Sequence, residues 1–408
     1  MQKVLTMNET AIINRPLYTG RLLEQVNNGL IKILTGQRRV GKSYILEYIS
    51  REIQRNNSEV NIININLEDF AFSHVQDAQT LHDEVASRLI SGKKNYIFID
   101  EVQEVQEFEK VLRSLLLDEN NDIYVTGSNS SMLSSEIASR LAGRSIETRI
   151  HPLSYIEFLE FHSFGASHDS LLWYLRHGGM PYLKNLPDRN NWNEYVEGIV
   201  NAIVFRDIVA RHSIRNSDFL QRLMMFLADN IGQIFSAKKI SDYLKSQKVQ
   251  MSVSGVQNYL KYIQEAFIIN QCRRWDVEGK RYFEIGEKYY YEDLGMRNAL
   301  IGFRPNDLSG LIENAVFNHL SIHGYKVKSG QLAKGEEIDF IAEKDSEIKY
   351  LQVATTIVEE HTREREFGNL ERLEDNYEKI VITLNDTFPN TFKGIKVFSL
   401  LDFLTTFK

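Results

Sequence analysis

Through the first third of the chain, short apolar runs alternate with longer stretches whose apolar positions recur every three or four residues. Residues 29–34, 60–67, 95–101 and 122–126 are rich in Ile, Val and Leu and read as strands. Between them, 44–49, 81–89 and 104–117 carry helical spacing, and 21–27 reads as a first helix behind an arm at 1–20. Apolar strands separated by helices predict a parallel sheet with helices on its flanks. Residues 151–210 read as largely helical, broken at Gly178-Gly179-Met180-Pro181. Three amphipathic helices follow: 219–230, one capped by Ser236, and one begun by Ser252 or Ser254. Residues 267–269, 281–283 and 288–291 then read as strands joined by Gly279 and Gly286. From about residue 300 the pattern is α/β again, with a helix at 311–321 and paired strands at 338–342 and 349–354.

The first strand runs into Gly36-Gln37-Arg38-Arg39-Val40-Gly41-Lys42-Ser43, and a helix follows. This is the G-x-x-x-x-G-K-[S/T] pattern of a phosphate-binding loop. Its glycines let backbone N–H groups converge on phosphate oxygens, and the helix N-terminus adds donors and partial positive charge. Lys42 is the candidate partner of the β- and γ-phosphates, and Ser43 a candidate Mg²⁺ ligand. Tyr44 joins Gly36, Gln37, Arg38, Arg39, Val40 and Gly41 as a candidate nucleotide contact.

The strand at 95–101 ends in Asp100-Glu101. An Asp there suits a Mg²⁺ ligand, and an adjacent Glu suits a base that orients the attacking water. The strand at 122–126 ends in Gly127-Ser128-Asn129-Ser130, so Ser128 and Asn129 are candidate sensors of the γ-phosphate or caps of a helix at 131–140. Arg144 follows Leu141-Ala142-Gly143; it is a candidate finger donated to a neighbouring subunit, or a surface arginine. Ile12, Ile13 and Arg15 are candidates for the edge of a base pocket, with packing the alternative.

Together with Ile99-Asp100-Glu101-Val102-Gln103, Thr126-Gly127-Ser128, Leu141-Ala142-Gly143-Arg144, His177-Gly178-Gly179-Met180-Pro181 and Arg206-Asp207-Ile208, the loop resembles the prokaryotic AAA+-type P-loop ATPases that carry a C-terminal restriction-endonuclease-like domain. The resemblance implies ATP and Mg²⁺ as cofactors. It also implies a P-loop sheet in which the Glu101 strand and the sensor strand lie beside the phosphate-loop strand. It names no substrate. The expected organisation is an ATPase domain at 1–150, a helical lid at 151–215, a winged helix at 216–297 and an endonuclease-like domain at 298–408.

The winged-helix expectation rests on three helices followed by a β-ribbon. From 236 to 281, nine Lys/Arg stand against four acids, in a chain whose net charge is −7. That local excess makes 216–297 a candidate surface for a nucleic-acid or protein partner. In the last region Glu313 and Asp339 match the carboxylates of an endonuclease-like site. Gln352 stands where a second-strand carboxylate belongs, and Ala354 where the lysine belongs. Lys334 and Lys349 are the substitutes within reach of sequence reasoning. From 332 to 378, fourteen acids face six Lys/Arg, which disfavours a phosphodiester backbone and leads to an expectation of no nuclease activity.

Composition changes this picture little. The 408 residues, 43% hydrophobic and 25% charged, are those of an ordinary globular chain. Cys272 is the only cysteine, which excludes an intrachain disulfide and a multi-thiolate metal site. The ten histidines show no zinc spacing with a cysteine partner, and the pair His319/His323 reads as surface or capping. With no secretory or membrane-spanning apolar run, the expectation is a cytoplasmic protein without a membrane partner, with an oligomer left open. The leading reading is an ATPase. A slow-turnover nucleotide switch and an ATP-regulated metal-dependent nuclease are the alternatives.

Overall fold

The computed structural model describes residues 12–129, 140–186, 188, 191–214, 216–333, 335–384 and 389–408, with the side chains of 283–285 outside that set. The expected helix at 131–140 (Arg140 apart), Ser130 and Lys334 therefore lie outside the described residues. The chain divides into two compact units, Met1–Ile150 and His151–Lys408.

In the first unit, α1 (Pro16–Glu24), α2 (Lys42–Asn56), α3 (Ala78–Ala86) and α4 (Phe108–Leu115) accompany five strands. These are β1 (Ile31–Thr35), β2 (Asn61–Asn66), β3 (Asn95–Asp100), β4 (Asn121–Gly127) and β5 (Ser145–Arg149). All pair in parallel, in the order β2-β3-β4-β1-β5. Strands β1, β3 and β4 are buried along their whole length, which is why they read as unbroken apolar runs. Their Ile33, Ile97, Ile99 and Val125 pack with Leu81, Val111 and Leu112 of the helices. The sheet refines one expectation: the sensor strand β4 adjoins β1, and the Glu101 strand β3 lies one place further out.

Local chemistry moves the helix ends. Helix α1 starts at Pro16 rather than at 21, because proline's fixed φ suits a first turn. Asp77 and Thr80 form a reciprocal capping box that starts α3 at Ala78, before its apolar stripe begins. Residues Val102–Glu104 form a separate 3-10 turn, so α4 starts only at Phe108. At the N-terminal ends of the strands, Asn61, Asn95 and Asn121 hydrogen-bond in a row across β2, β3 and β4. Lys32 pairs there with Asp122 in full burial. This pole is polar but self-satisfied, which leaves the opposite pole for ligands.

The second unit begins with α5 (Tyr155–His162), α6 (His168–His177) and α7 (Trp192–Ala202), which continues as a π-helix over Ile203–Ala210. Helices α8 (Ser217–Asp229), α9 (Ala237–Ser246) and α10 (Val253–Glu265) follow, with Ser236 and Ser252 capping the last two. The ribbon after them has two strands, β6 (Ile269–Asp276) and β7 (Arg281–Tyr291), not three. Gly279 lies in their turn, but Gly286 lies inside β7 at φ +89°, where a Cβ would come 2.9 Å from Arg274 and 3.0 Å from Ile234. It is a close-approach glycine, not a joint.

The ribbon is not an isolated wing. It forms one edge of an eight-stranded mixed sheet, ordered β12-β13-β11-β10-β9-β8-β6-β7. The other strands are β8 (Lys326–Gln331), β9 (Glu337–Lys344), β10 (Glu347–Ala354), β11 (Glu378–Thr383), β12 (Thr391–Phe392) and β13 (Ile395–Ser399). The sheet thus crosses the expected boundary at 297. Helix α11 (Leu294–Ile301) follows the ribbon, and α12 (Leu308–Ile322) packs on the sheet. Asn314 of α12 exchanges two 2.8 Å hydrogen bonds with the backbone of Tyr291. His319 is buried and hydrogen-bonds the Phe407 carbonyl at 2.8 Å, so it is not a surface group. Among the described residues, no helix is long and apolar enough to cross a membrane.

Candidate functional site

The C-terminal ends of β1, β3 and β4 lie side by side, and each delivers part of one site. The chain leaves β1 through Gly36 at φ +144°, where a Cβ would come 2.1 Å from the Ile150 carbonyl oxygen. Only glycine fits that approach. Gly41, at φ +97°, caps α2 and turns the loop into the helix. Arg15 braces the loop from outside, donating from a buried guanidinium to the Val40 carbonyl at 3.0 Å. Gln37 and Arg38 are buried; Arg38 pairs with Glu68, just beyond β2, at 2.9 Å. Arg39, Ser43 and Tyr44 are exposed at the mouth.

Lys42 is buried at the start of α2. It donates to the carbonyls of Gly36 at 3.0 Å and Gln37 at 3.1 Å, and lies 3.7 Å from the Glu101 carboxylate. At the end of β3, Asp100 accepts a hydrogen bond from the Thr126 hydroxyl, with the Ser43 hydroxyl nearby as a further stabilising group. The backbone N–H of Glu101 also donates to Thr126 Oγ1, at 2.8 Å. Glu101 itself takes the left-handed conformation at φ +56°, uncommon for a side chain of this size. That conformation turns the chain off the strand and brings the carboxylate to Lys42. From the 3-10 turn, Gln103 donates to the Glu101 carboxylate and, at 3.4 Å, to Ser128 Oγ at the end of β4.

Burial pushes the Asp100 carboxyl above its ordinary range, and the neighbouring Glu101 charge adds to this against the hydroxyl hydrogen bonds and Lys42. Burial opposes ionisation of Glu101 too, but Lys42, Gln103, Ser128 and Arg38 together outweigh it and hold that carboxyl below its ordinary range. Glu101 is thus ionised and able to accept a proton. The neighbouring oxygens of Ser43 and Asp100 form a hard-donor pair of the kind Mg²⁺ takes, and a cation there reverses the electrostatic penalty on Asp100.

The structure therefore brings together Lys42, Ser43, Asp100, Glu101 and Ser128, with buried Asn129 next along the chain. Arg144 does not join them. Its carbonyl accepts from Ile31 N–H at 2.8 Å, which places it where β1 begins, roughly 15 Å along the strand from the loop. Sequence reasoning gave no role to Gln103, Thr126 or Glu68. Gln103, inside the Asp-Glu-x-Gln string, and Thr126, inside Thr-Gly-Ser, left a signal; Glu68 left none.

Residues 28–159 match a family model described as an AAA domain, and residues 168–307 match one described as a domain of unknown function. An uncharacterised protein of Haemophilus influenzae is 36% identical over 402 residues, covering 97% of this chain and 99% of its own length. An uncharacterised protein of Methanocaldococcus jannaschii is 31% identical over 385 residues, covering 87% of this chain and 82% of its own. The solved structure of a Walker-type ATPase from Pyrococcus abyssi matches with a TM-score of 0.51 at 17% identity, over 71% of this chain and 96% of that one. That last likeness is one of fold.

Proposed function

The chain belongs to the same family as those two relatives and carries an AAA-type P-loop domain, and we propose that it is a Mg²⁺-dependent ATPase. The observation that carries this reading is the placement of Ser43 and Asp100 together beside the Lys42–Glu101 pair, whose charges lie 3.7 Å apart. It sets a metal-ligand pair, a phosphate-binding cation and a base at one sheet end. Ser43 and Asp100 would hold Mg²⁺, which supplies charge neutralisation to the β- and γ-phosphates when bound.

On this reading Lys42 exchanges the Gly36 and Gln37 carbonyls for phosphate oxygens and balances the charge that develops in transfer. Glu101, once Lys42 has moved to phosphate, orients a water and takes its proton. Ser128 registers the γ-phosphate, because Gln103 links it to Glu101. Asn129 is the second sensor candidate. Arg144 serves only a neighbouring copy's site, if any, since it lies at the far end of its own sheet.

Exposed Lys238, Lys239 and Lys248 around α9 favour an anionic partner for the second unit, such as nucleic acid. Lys245, Lys261 and Arg281 count less towards it, being paired with Asp242, Glu265 and Asp276. The test is phosphate release from ATP with Mg²⁺ or EDTA, with and without DNA or RNA. Release that needs Mg²⁺ and rises with a polymer supports the reading. No release under any condition favours the slow-turnover switch, for which the engagement of Glu101 by Lys42 and Gln103 already provides a reason.

A further inference from the structure

The resemblance of the C-terminal region to an endonuclease fold implies a divalent metal held by carboxylates. The residues present do not fit one. Glu313 on α12 and Glu337 and Asp339 on β9 converge, but the centre of their cluster is taken by the ammonium of Lys288, which reaches in from β7. Lys288 Nζ lies 2.9 Å from Glu313 Oε1, bonds Glu337, and lies 3.8 Å from Asp339 Oδ1, with its side chain 2% exposed.

Protein donors besides Lys288 also reach the cluster. Tyr290 Oη donates to Glu313, and Val353 N–H donates to Asp339 Oδ2 at 2.8 Å. Gln352, where a metal-binding carboxylate would stand, accepts from Asp339 N–H at 3.1 Å and so serves the sheet. Ala354 offers nothing. Among the described residues, no group of three or more His, Cys, Asp or Glu is arranged to hold a metal. A lysine acting beside a metal-activated water would leave the carboxylate oxygens to the metal; Lys288 instead touches all three carboxylates.

We propose that Lys288 is a built-in counter-cation, a tethered ammonium that fills the place of a divalent metal in the Glu313–Glu337–Asp339 cluster and closes it to metal. The arrangement is electrostatically consistent. Burial acts to neutralise Lys288, but the three carboxyls outweigh it and keep the ammonium charged. Burial, with the Glu313 charge, drives Asp339 toward its protonated form. A dication entering here meets a buried positive charge at contact range, unscreened by solvent. The same ammonium ties the ribbon to α12 and β9, so the cluster holds the edge of the sheet to its centre.

The test uses the full chain carrying Asp100→Asn, which removes the other candidate divalent position, and follows Mn²⁺ binding by electron paramagnetic resonance without nucleotide. The Lys288-containing chain is expected to bind no Mn²⁺ at this cluster below millimolar concentration. Lys288→Met is expected to gain a site at least tenfold tighter, lost again on adding Asp339→Asn. Mn²⁺ binding in the Lys288-containing chain that Asp339→Asn removes would overturn the proposal, as would a folded Lys288→Met chain that gains no site. If Lys288→Met melts too low to assay, Glu337→Gln in the same chain is expected to restore several degrees of the melting temperature. No restoration would overturn the counter-cation role.

Discussion

Lys42 and Glu101 stand 3.7 Å apart, while the same ammonium donates to the Gly36 and Gln37 carbonyls of its own loop. The phosphate-binding cation and the candidate base therefore neutralise each other, and phosphate must compete for Lys42. Substituting Lys42→Ala leaves the loop without its cation and Glu101 without its main counter-charge. ATP binding, read by fluorescence anisotropy of a labelled ATP, is expected to weaken at least 100-fold, about 3 kcal/mol. An unchanged affinity would remove Lys42 from the site.

Gln103 bridges Glu101 and Ser128, so it positions the base relative to the sensor strand. Gln103→Leu keeps the volume and removes the bridge. The expected result is a kcat about tenfold lower with KM nearly unchanged, some 1.4 kcal/mol of transition-state stabilisation. A rise in KM alone would mean that Gln103 acts through nucleotide binding.

Gly36→Ala sets a methyl group 2.1 Å from the Ile150 carbonyl oxygen, at a φ of +144° that side chains rarely adopt. The loop must move away from β5, at a cost of about 1–3 kcal/mol in urea unfolding, with ATP binding impaired. Wild-type stability and affinity together would show that the loop adjusts freely.

Much of this site was legible because a parallel sheet buried on both faces writes its strands as apolar runs and leaves chemistry at their ends. Gly36 to Ser43, Asp100, Glu101 and Ser128 all fall at such ends. Strands β5 and β8 were missed because each holds a single large apolar residue among polar ones, and β11 was missed although its Ile380-Val381-Ile382 run is a strand signal. Lys288 was missed for another reason. Its Lys-Tyr-Tyr-Tyr context reads as a strand, but its partners come from α12 and β9, and nothing local records that meeting. The continuity of the ribbon with the C-terminal sheet is likewise a matter of long-range pairing.

Two buried groups of the second unit titrate in opposite senses. Asp293, the N-cap of α11, is pushed up to about 6 by burial, against backbone hydrogen bonds from Gly179, Met296 and Gly295. The native state then keeps a proton that the unfolded chain loses near pH 4, so this contribution to stability falls as pH rises from about 4 to 6, by up to about 3 kcal/mol. His319 is pushed down to about 3 by burial and by His323, so its contribution is full above about pH 6.5 and falls as pH drops toward 3. In urea unfolding across that range, the stability of wild type relative to Asp293→Asn should decline with rising pH. Relative to His319→Gln it should decline with falling pH. Parallel curves in both comparisons would contradict the assignment.

On the proposed reading, Glu101 activates water for ATP hydrolysis at the end of β3. The most direct measurement is single-turnover hydrolysis of ATP, with Mg²⁺, by wild type and Glu101→Gln, alongside equilibrium binding of ATP to both. Glu101→Gln is expected to bind ATP at least as tightly as wild type, because the amide no longer competes for Lys42 as a carboxylate does, and to hydrolyse it at least 100-fold more slowly, about 3 kcal/mol in barrier. Hydrolysis by Glu101→Gln at the wild-type rate would contradict it.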